Sequence, residues 1–87
     1  MLKRGGYSMN SFTWYVIDCR NKTNNKCFAY TERIHHSNNL IGYFERNKPG
    51  SSYEVLSVNA CDTKKHADQI ATCWNEGYKS RGLYCFS

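Results

Sequence analysis

The sequence predicts a small α+β domain in which a mostly antiparallel, three-stranded sheet packs against two helices. Two segments rich in aromatic and β-branched residues flank an asparagine-rich loop, a third segment alternates in polarity, and a long segment near the C-terminus has helical periodicity. The element order is therefore β-β-α-β-α. Both helices are expected on one face of the sheet, which is the simplest layered arrangement. A chain of 87 residues has room for one domain.

The first two strands are predicted to form a hairpin. Residues 11–19 (SFTWYVIDC) carry apolar side chains on both faces, which predicts a central strand covered on both sides or covered by a partner chain. The loop at 20–26 (RNKTNNK) is polar, and asparagine tolerates the left-handed backbone that such turns need. Residues 27–34 (CFAYTERI) are predicted to form the returning strand.

A short helix and a third strand are expected next. Ser37 or Asn38 is predicted to cap the helix. Its buried stripe is expected to consist of Leu40, Ile41 and Phe44. Residues 53–60 (YEVLSVNA) alternate in polarity and predict a strand. The core face of that strand is expected to consist of Leu56, Val58 and Ala60.

The clearest element is a helix over about residues 64–81, with Asp62 or Thr63 as its cap. Its apolar side chains recur at helical spacing and form one stripe: Ala67, Ile70, Ala71, Trp74 and Tyr78. Gly82 follows two basic residues in a normal C-terminal signal. Residues 83–86 (LYCF) either add a short fourth strand at the sheet edge or pack onto the domain.

Residues 1–10 carry little periodic signal, so the domain is predicted to span residues 11–87. Lys3, Arg4 and Gly5 can be encoded by a purine run that resembles a bacterial ribosome-binding site before Met9. The segment is therefore either a translated, non-native leader or an ordinary disordered terminus. A start at Met9 would lower the net charge from +5 to +3, because the leader contributes two positive charges and no negative one.

The net charge of +5 favours an anionic partner. An odd number of cysteines, with no C-x-x-C pair and no signal peptide, predicts reduced thiols and a cytoplasmic protein. The five cysteines are Cys19, Cys27, Cys61, Cys73 and Cys85. No apolar segment is long enough to predict a membrane span.

No catalytic or metal site is predicted. Cys61 lies just before a helix start, where a thiolate would be favoured, and His66 is a nearby base, but a strand-end cysteine with a structural role accounts for the same residues. The metal candidates Cys61, His66, His35 and His36 lack the close ligand pairs of structural zinc. We therefore predict a protein without cofactor or enzymatic activity.

The strongest functional signal is the cationic start of the last helix. Lysines in a first turn oppose the helix dipole, whereas free backbone N–H groups there can hold a phosphate. The predicted ligand-binding residues at this start are Thr63, Lys64, Lys65 and His66. A second basic cluster in the hairpin loop is expected to contact the same ligand: Arg20, Lys22 and Lys26. Nearby aromatics such as Tyr43 or Tyr53 are expected to add specificity. The alternative is a solvated helix face whose charge is offset by Asp62 and Asp68.

These features predict a small non-enzymatic binding protein for nucleic acid or a nucleotide-like molecule. The alternative is an inhibitor or adaptor that binds a host protein, of the anti-defence kind that phages and mobile elements encode. Strands with two apolar faces support this alternative. A homodimer is also expected, because helices on one face would leave the other apolar face uncovered.

Overall fold

The predicted fold class is confirmed by a computed structural model that describes residues 12–35 and 38–86. In chain order the elements are β1 (Phe12–Asn21), β2 (Cys27–His35), α1 (Leu40–Arg46), β3 (Tyr53–Cys61) and α2 (Lys64–Ser80). The strands form one antiparallel sheet in the order β2-β1-β3, so β1 is the central strand, as predicted. The leader or disordered terminus predicted for residues 1–10 lies outside the described residues.

The β1-β2 hairpin closes through its asparagines. Asn25 has a φ of 60°, in the left-handed region that this residue tolerates better than most. The Asn21 backbone N–H donates to the Lys26 carbonyl over 2.7 Å and joins the strand ends. The side chain of Asn24 accepts from the Lys26 N–H over 3.0 Å and fixes the loop locally. The asparagine-rich loop is therefore a hairpin turn, as predicted.

The two helices lie on opposite faces of the sheet, which corrects the expectation that both would share one face. Successive strand residues point to opposite faces. Val16 packs in one cluster with Ala67 and Ala71 of α2, whereas Tyr15 packs in another cluster with Phe44 of α1. Both faces of β1 are apolar, so covering both removes more apolar surface from water. The bare face that motivated the predicted homodimer is not found among the described residues, and self-association stays a prediction without that motive.

An extra residue in β3 changes which of its side chains face the core. The register against β1 shifts between Asp18 and Cys19. Asp18 is paired with Ser57, whereas Cys19 is paired with Val55, so Leu56 has no partner in the ladder. Such a bulge rotates the strand locally. Compared with strict alternation, it moves the side chains of the residues before it to the opposite face of the sheet.

The bulge explains why the predicted core face of β3 is only partly right. Tyr53, Val55 and Val58 pack together against the cluster on the α1 side. Leu56 is 41% exposed and Ala60 is also exposed, so both were wrongly expected in the core. Strict alternation cannot place Val55 and Val58 on one face, and only the bulge allows it.

Helix α1 starts one or two residues later than its two predicted caps, Ser37 and Asn38, imply. Its cap is Asn39, whose side-chain oxygen accepts the Gly42 N–H over 2.9 Å. Phe44 is fully buried and Tyr43 packs beside it. Ile41, which was expected in the buried stripe, is 47% exposed. The helix therefore presents a narrower apolar face than the sequence predicted.

Helix α2 matches its prediction closely. Thr63 is the cap, and its hydroxyl oxygen accepts the His66 backbone N–H over 3.1 Å. Ala67 and Ala71 are buried, and Ile70 and Trp74 pack against them. Gly82 ends the helix with a φ of +71°, which glycine adopts without steric cost. Among the described residues, neither helix is long and apolar enough to cross a membrane.

The C-terminal segment and one helix side chain cover the outer edge of the first part of β2. The Cys27 N–H donates to the Leu83 carbonyl over 2.7 Å, and the Cys85 N–H donates to the Cys27 carbonyl over 2.9 Å, which forms a single parallel bridge rather than a fourth strand. The amide of Asn75 then accepts from the Ala29 N–H over 2.7 Å and donates to its carbonyl over 3.0 Å. These groups satisfy an edge that would otherwise be open.

Candidate anion-binding surface

The strands β1 and β2 extend beyond the first turn of α2, so among the described residues no helix covers this end of the sheet. Trp14 pairs with Cys61, and α2 begins three residues after Cys61, so Phe12 lies past the helix start. Phe12 pairs with His35, and Trp14 pairs with Arg33; paired residues share a face. We define the open patch as the residues that meet here: Phe12, Trp14, Arg33, His35 and Lys64.

The open patch holds basic side chains against an exposed aromatic ring. The Arg33 guanidinium carbon lies 4.7 Å from the Phe12 ring centroid. The His35 ring lies 3.9 Å from Phe12, centroid to centroid, at an angle of 41°. Arg33 and His35 are exposed, and Phe12 is 49% exposed. Within the described residues Arg33 forms no ion pair, so its charge is oriented by the ring but not neutralised.

Lys64 connects the patch to the start of α2. Its ammonium lies 5.6 Å from the Trp14 ring centroid and 2.6 Å from a carboxylate oxygen of Asp68. The bond from Lys64 holds the pKa of Asp68 below its usual range. The other Asp68 oxygen accepts from the Thr31 hydroxyl over 3.2 Å and ties α2 to β2. The charge of Lys64 is thus partly offset, in keeping with the alternative of a solvated face.

The other residues predicted at the helix start remain outward. The hydroxyl oxygen of Thr63 accepts the backbone N–H of His66 and so caps the helix, while the side chains of Lys65 and His66 are exposed. A shallow groove of about 840 Å³, largely open to solvent, begins at the two lysines and follows one side of α2. Its described lining is Lys64, Lys65, Asp68, Gln69, Thr72 and Cys73.

The second predicted cluster lies at the far end of the sheet. Arg20 is six positions from Trp14 along β1, a separation of about 20 Å at the rise of a strand. Arg20 is also paired with Glu54, whose oxygen accepts from the guanidinium over 2.7 and 2.6 Å. Lys22 and Lys26 lie in the adjoining loop. The structure therefore does not bring the hairpin cluster to the start of α2.

Sequence reasoning missed the β-strand half of the open patch. Arg33 was treated as an ordinary strand residue, and Phe12 was counted toward a covered face. A hairpin register fixed from the turn would have placed Arg33 opposite Trp14. The aromatics expected near the site, Tyr43 and Tyr53, instead pack in the cluster on the α1 side, across the sheet from the patch.

The candidate nucleophile considered from the sequence is poorly suited to that role. Cys61 is buried, and its burial, with a smaller contribution from Asp62, raises the pKa of the thiol. A raised pKa disfavours the reactive thiolate at neutral pH. Within residues 12–35 and 38–86, no group of three or more His, Cys, Asp or Glu residues is placed to hold a metal ion.

A smaller cavity of about 300 Å³ lies at the other end of α2. The hydroxyl of Tyr78 donates to both carboxylate oxygens of Asp18 over 2.7 and 2.8 Å. Burial raises the pKa of Asp18, and the bond from Tyr78 opposes that rise. The cavity is lined by Asp18, Trp74, Gly77, Tyr78, Ser80 and Arg81. Its central carboxylate is already bonded within the protein, which distinguishes it from the open patch.

Comparison with protein-family models, curated proteins and solved structures finds no match for this chain. A functional proposal therefore has to rest on the geometry of the chain itself. The open patch combines exposed charge with aromatic side chains of the sheet, and cations also lie over the rings of Tyr78 and Tyr84 at the other end of α2.

Proposed function

We propose that this protein is a small non-enzymatic binder of an anionic ligand, a nucleic acid or a nucleotide-like molecule, at the open patch. The observation that carries the proposal is an arginine that forms no ion pair among the described residues and is held beside an exposed ring, with an imidazole on the same ring. A guanidinium presents donors in a fixed fork that matches a phosphate. Arg33 is therefore the proposed principal phosphate contact.

Several exposed cations, Arg46 and Arg81 among them, also form no ion pair among the described residues, and what sets Arg33 apart is a half-exposed phenyl ring that it shares with an imidazole. Lys48 contacts Glu45 and Lys79 contacts Glu76, so these cations have partners on their own helices or next to them. Arg33 has none among the described residues, although holding it against a ring restricts its motion. Such an arrangement favours a ligand, because an oriented, unpaired guanidinium loses less side-chain entropy on binding.

The start of α2 extends the positive surface. Lys64 and Lys65 precede most of the helix, and exposed backbone N–H groups of a first turn also favour an anion. These two lysines flank the open patch in the proposal, with Thr63 and His66 at its rim. The hairpin cluster is not included, because it lies about 20 Å away.

The experiment compares two charge reversals on different faces of the sheet. Arg33→Glu changes the open patch, whereas Arg46→Glu changes an exposed residue of α1 by the same net charge. We expect Arg33→Glu to weaken binding of a fluorescent oligonucleotide at least about tenfold, the effect of losing a charged hydrogen bond. Arg46→Glu should leave it nearly unchanged. Anisotropy titrations should also show affinity falling steeply as salt is raised.

Two outcomes would contradict the proposal. Equal weakening by Arg33→Glu and Arg46→Glu would mean that only net charge matters. An absence of binding to oligonucleotides, nucleoside triphosphates and polyphosphate at micromolar protein would remove the anionic ligand altogether.

One observation favours the alternative of an inhibitor that binds a host protein. Cys27 and Ala29 direct their backbone groups away from β1, toward the C-terminal segment and Asn75. By the alternation of the ladder, Thr31 and Arg33 direct theirs outward as well. A strand of another protein could extend the sheet at this edge. The affinity of a protein bound through such an edge would change little with salt, whereas the affinity for nucleic acid would fall steeply as salt is raised.

A further inference from the structure

We propose that the ligand of the open patch is single-stranded nucleic acid, with bases stacked on the planar side chains of the patch and phosphates on its cations. This inference rests on the proposed function, because it names the ligand class of the same surface. It depends on three features: the spacing of the rings, their exposure, and the alternation of rings with cations.

The spacing of the two rings fits unstacked bases. Phe12 and Trp14 share a face and are two residues apart on β1, which places their Cα atoms about 7 Å apart. Successive bases of a duplex strand are only about 3.4 Å apart along the axis. Neighbouring bases can therefore occupy both rings only when the strand is extended and its bases are separated.

Three planar groups of the patch are exposed to solvent, and the fourth, Trp14, is partly buried against the α2 cluster. Phe12 is 49% exposed, although its ring would be better removed from water. The imidazole of His35 and the guanidinium of Arg33 lie against this ring and are themselves exposed. Bases stack on aromatic rings, imidazoles and guanidinium planes alike. An incoming base thus has several adjoining platforms at one end of the sheet.

Cations alternate with the rings. Arg33 pairs with Trp14 across the ladder while its guanidinium leans toward Phe12. The ammonium of Lys64 lies 5.6 Å from the Trp14 ring centroid, and Lys65 is next to it in sequence. A strand whose bases rest on the rings would place its phosphates between these cations, which is the usual layout of surfaces that bind single strands.

The groove beside α2 offers a continuation for a strand longer than two nucleotides. It begins at Lys64 and reaches Cys73, a length of about 14 Å along the helix. A duplex keeps its bases stacked inside and would leave both rings uncovered. A mononucleotide would use one platform and none of the groove. The extended single strand is the ligand that uses all of these features.

The test compares three ligands of equal length: a single-stranded oligonucleotide of about 12 nucleotides, the same backbone with abasic positions, and a duplex. Anisotropy titrations with the full chain should give affinity at least about fivefold higher for the base-bearing strand than for the abasic one. This ratio should stay constant between about 50 and 200 mM salt, because stacking does not release counterions, while both affinities fall.

Variants of Phe12 separate stacking from charge. Phe12→Leu keeps an apolar side chain but removes the ring, and should reduce the affinity for the base-bearing strand about 5- to 150-fold without changing that for the abasic strand. Phe12→Tyr should retain binding. Ile41→Ala is the matched control, since Ile41 is exposed to a similar degree on α1. Thermal melts of each variant check that the fold is kept.

The outcomes distinguish this inference from the proposed function. Equal affinity for base-bearing and abasic strands, or tightest binding to the duplex, would overturn the inference while anionic binding stands. Loss of binding to all three ligands together, with polyphosphate also ignored, would overturn both. A fall for Phe12→Leu on the abasic strand as large as on the base-bearing strand would also reject stacking, because the ring would then only position Arg33.

Discussion

The two ends of the sheet contain similar residue types and use them differently. At the closed end, which we define by Asp18, Tyr78, Arg20 and Glu54, the charged and polar groups are bonded to one another. At the open end, the charge of Arg33 and the ring beside it face solvent. The difference shows that composition alone does not reveal a binding surface. What matters is whether the fold has already satisfied the groups, because satisfied groups stabilise the chain and unsatisfied ones remain available to a ligand.

The largest expected effect comes from truncating an aromatic residue at each end. Trp74 borders the closed-end cavity and packs against the α2 cluster, so Trp74→Ala should lower the free energy of unfolding by about 3 kcal/mol. Phe12→Ala should lower it by less than about 1 kcal/mol, because half of its ring is already in water. Urea denaturation followed by circular dichroism measures both. Similar losses would contradict the contrast between the ends.

A medium effect is expected for Tyr78→Phe, which removes the donor to Asp18. A half-buried carboxylate without its donor should cost about 1.5 kcal/mol at pH 7. The pKa of Asp18 is raised by burial, so its ionisation opposes folding as pH rises through the window above its ordinary value of 3.8. Removing the Tyr78 hydroxyl raises the pKa of Asp18 further, because the hydrogen bond from that hydroxyl lowers it. The deficit should therefore be largest at neutral pH and shrink as pH falls toward about 4.

A second tyrosine provides the control for that pH dependence. The hydroxyl of Tyr30 is buried without a conventional hydrogen-bond partner and lies beside the thiol of Cys19. Tyr30→Phe should leave stability unchanged or raise it slightly, with no change between pH 7 and about pH 4. A deficit for Tyr78→Phe that is the same at both pH values would show that Asp18 does not carry the effect.

The smallest effect concerns the open end. Lys65 is exposed in the first turn of α2, where its charge opposes the helix dipole. Lys65→Glu should therefore stabilise the protein by about 0.3–1 kcal/mol in thermal or urea denaturation, and should weaken oligonucleotide binding. A variant that is more stable but binds normally would make Lys65 part of a solvated face. A variant that is less stable would show that the lysine has an unrecognised structural role.

Self-association and the state of the thiols remain predictions. Four of the five cysteines are buried or partly buried, and Cys73 is exposed on α2. The exposure of Cys73 matters for fluorescent labelling of the protein, because a maleimide dye would react first at this thiol, which lines the groove. Labels are therefore better placed on the oligonucleotide.

The local pattern of the sequence was enough to determine the elements. Aromatic and β-branched runs predicted the strands, asparagines predicted the turn at Asn25, and the spacing from Ala67 to Tyr78 predicted α2, because propensity and periodicity act over a few residues. The cations of the α2 start were also visible, since capping and helix polarity are local properties.

The tertiary structure alone decided which residues meet. It placed the helices on opposite faces, inserted the bulge at Leu56, and separated Arg20 from the start of α2 by most of the sheet. It also set Arg33 across from Trp14. Each outcome depends on strand register and on how side chains distant in sequence pack, and a shift of one residue in register would turn Arg33 to the other face. For that reason the sequence determined the pieces of the open patch, and only the folded sheet assembled them.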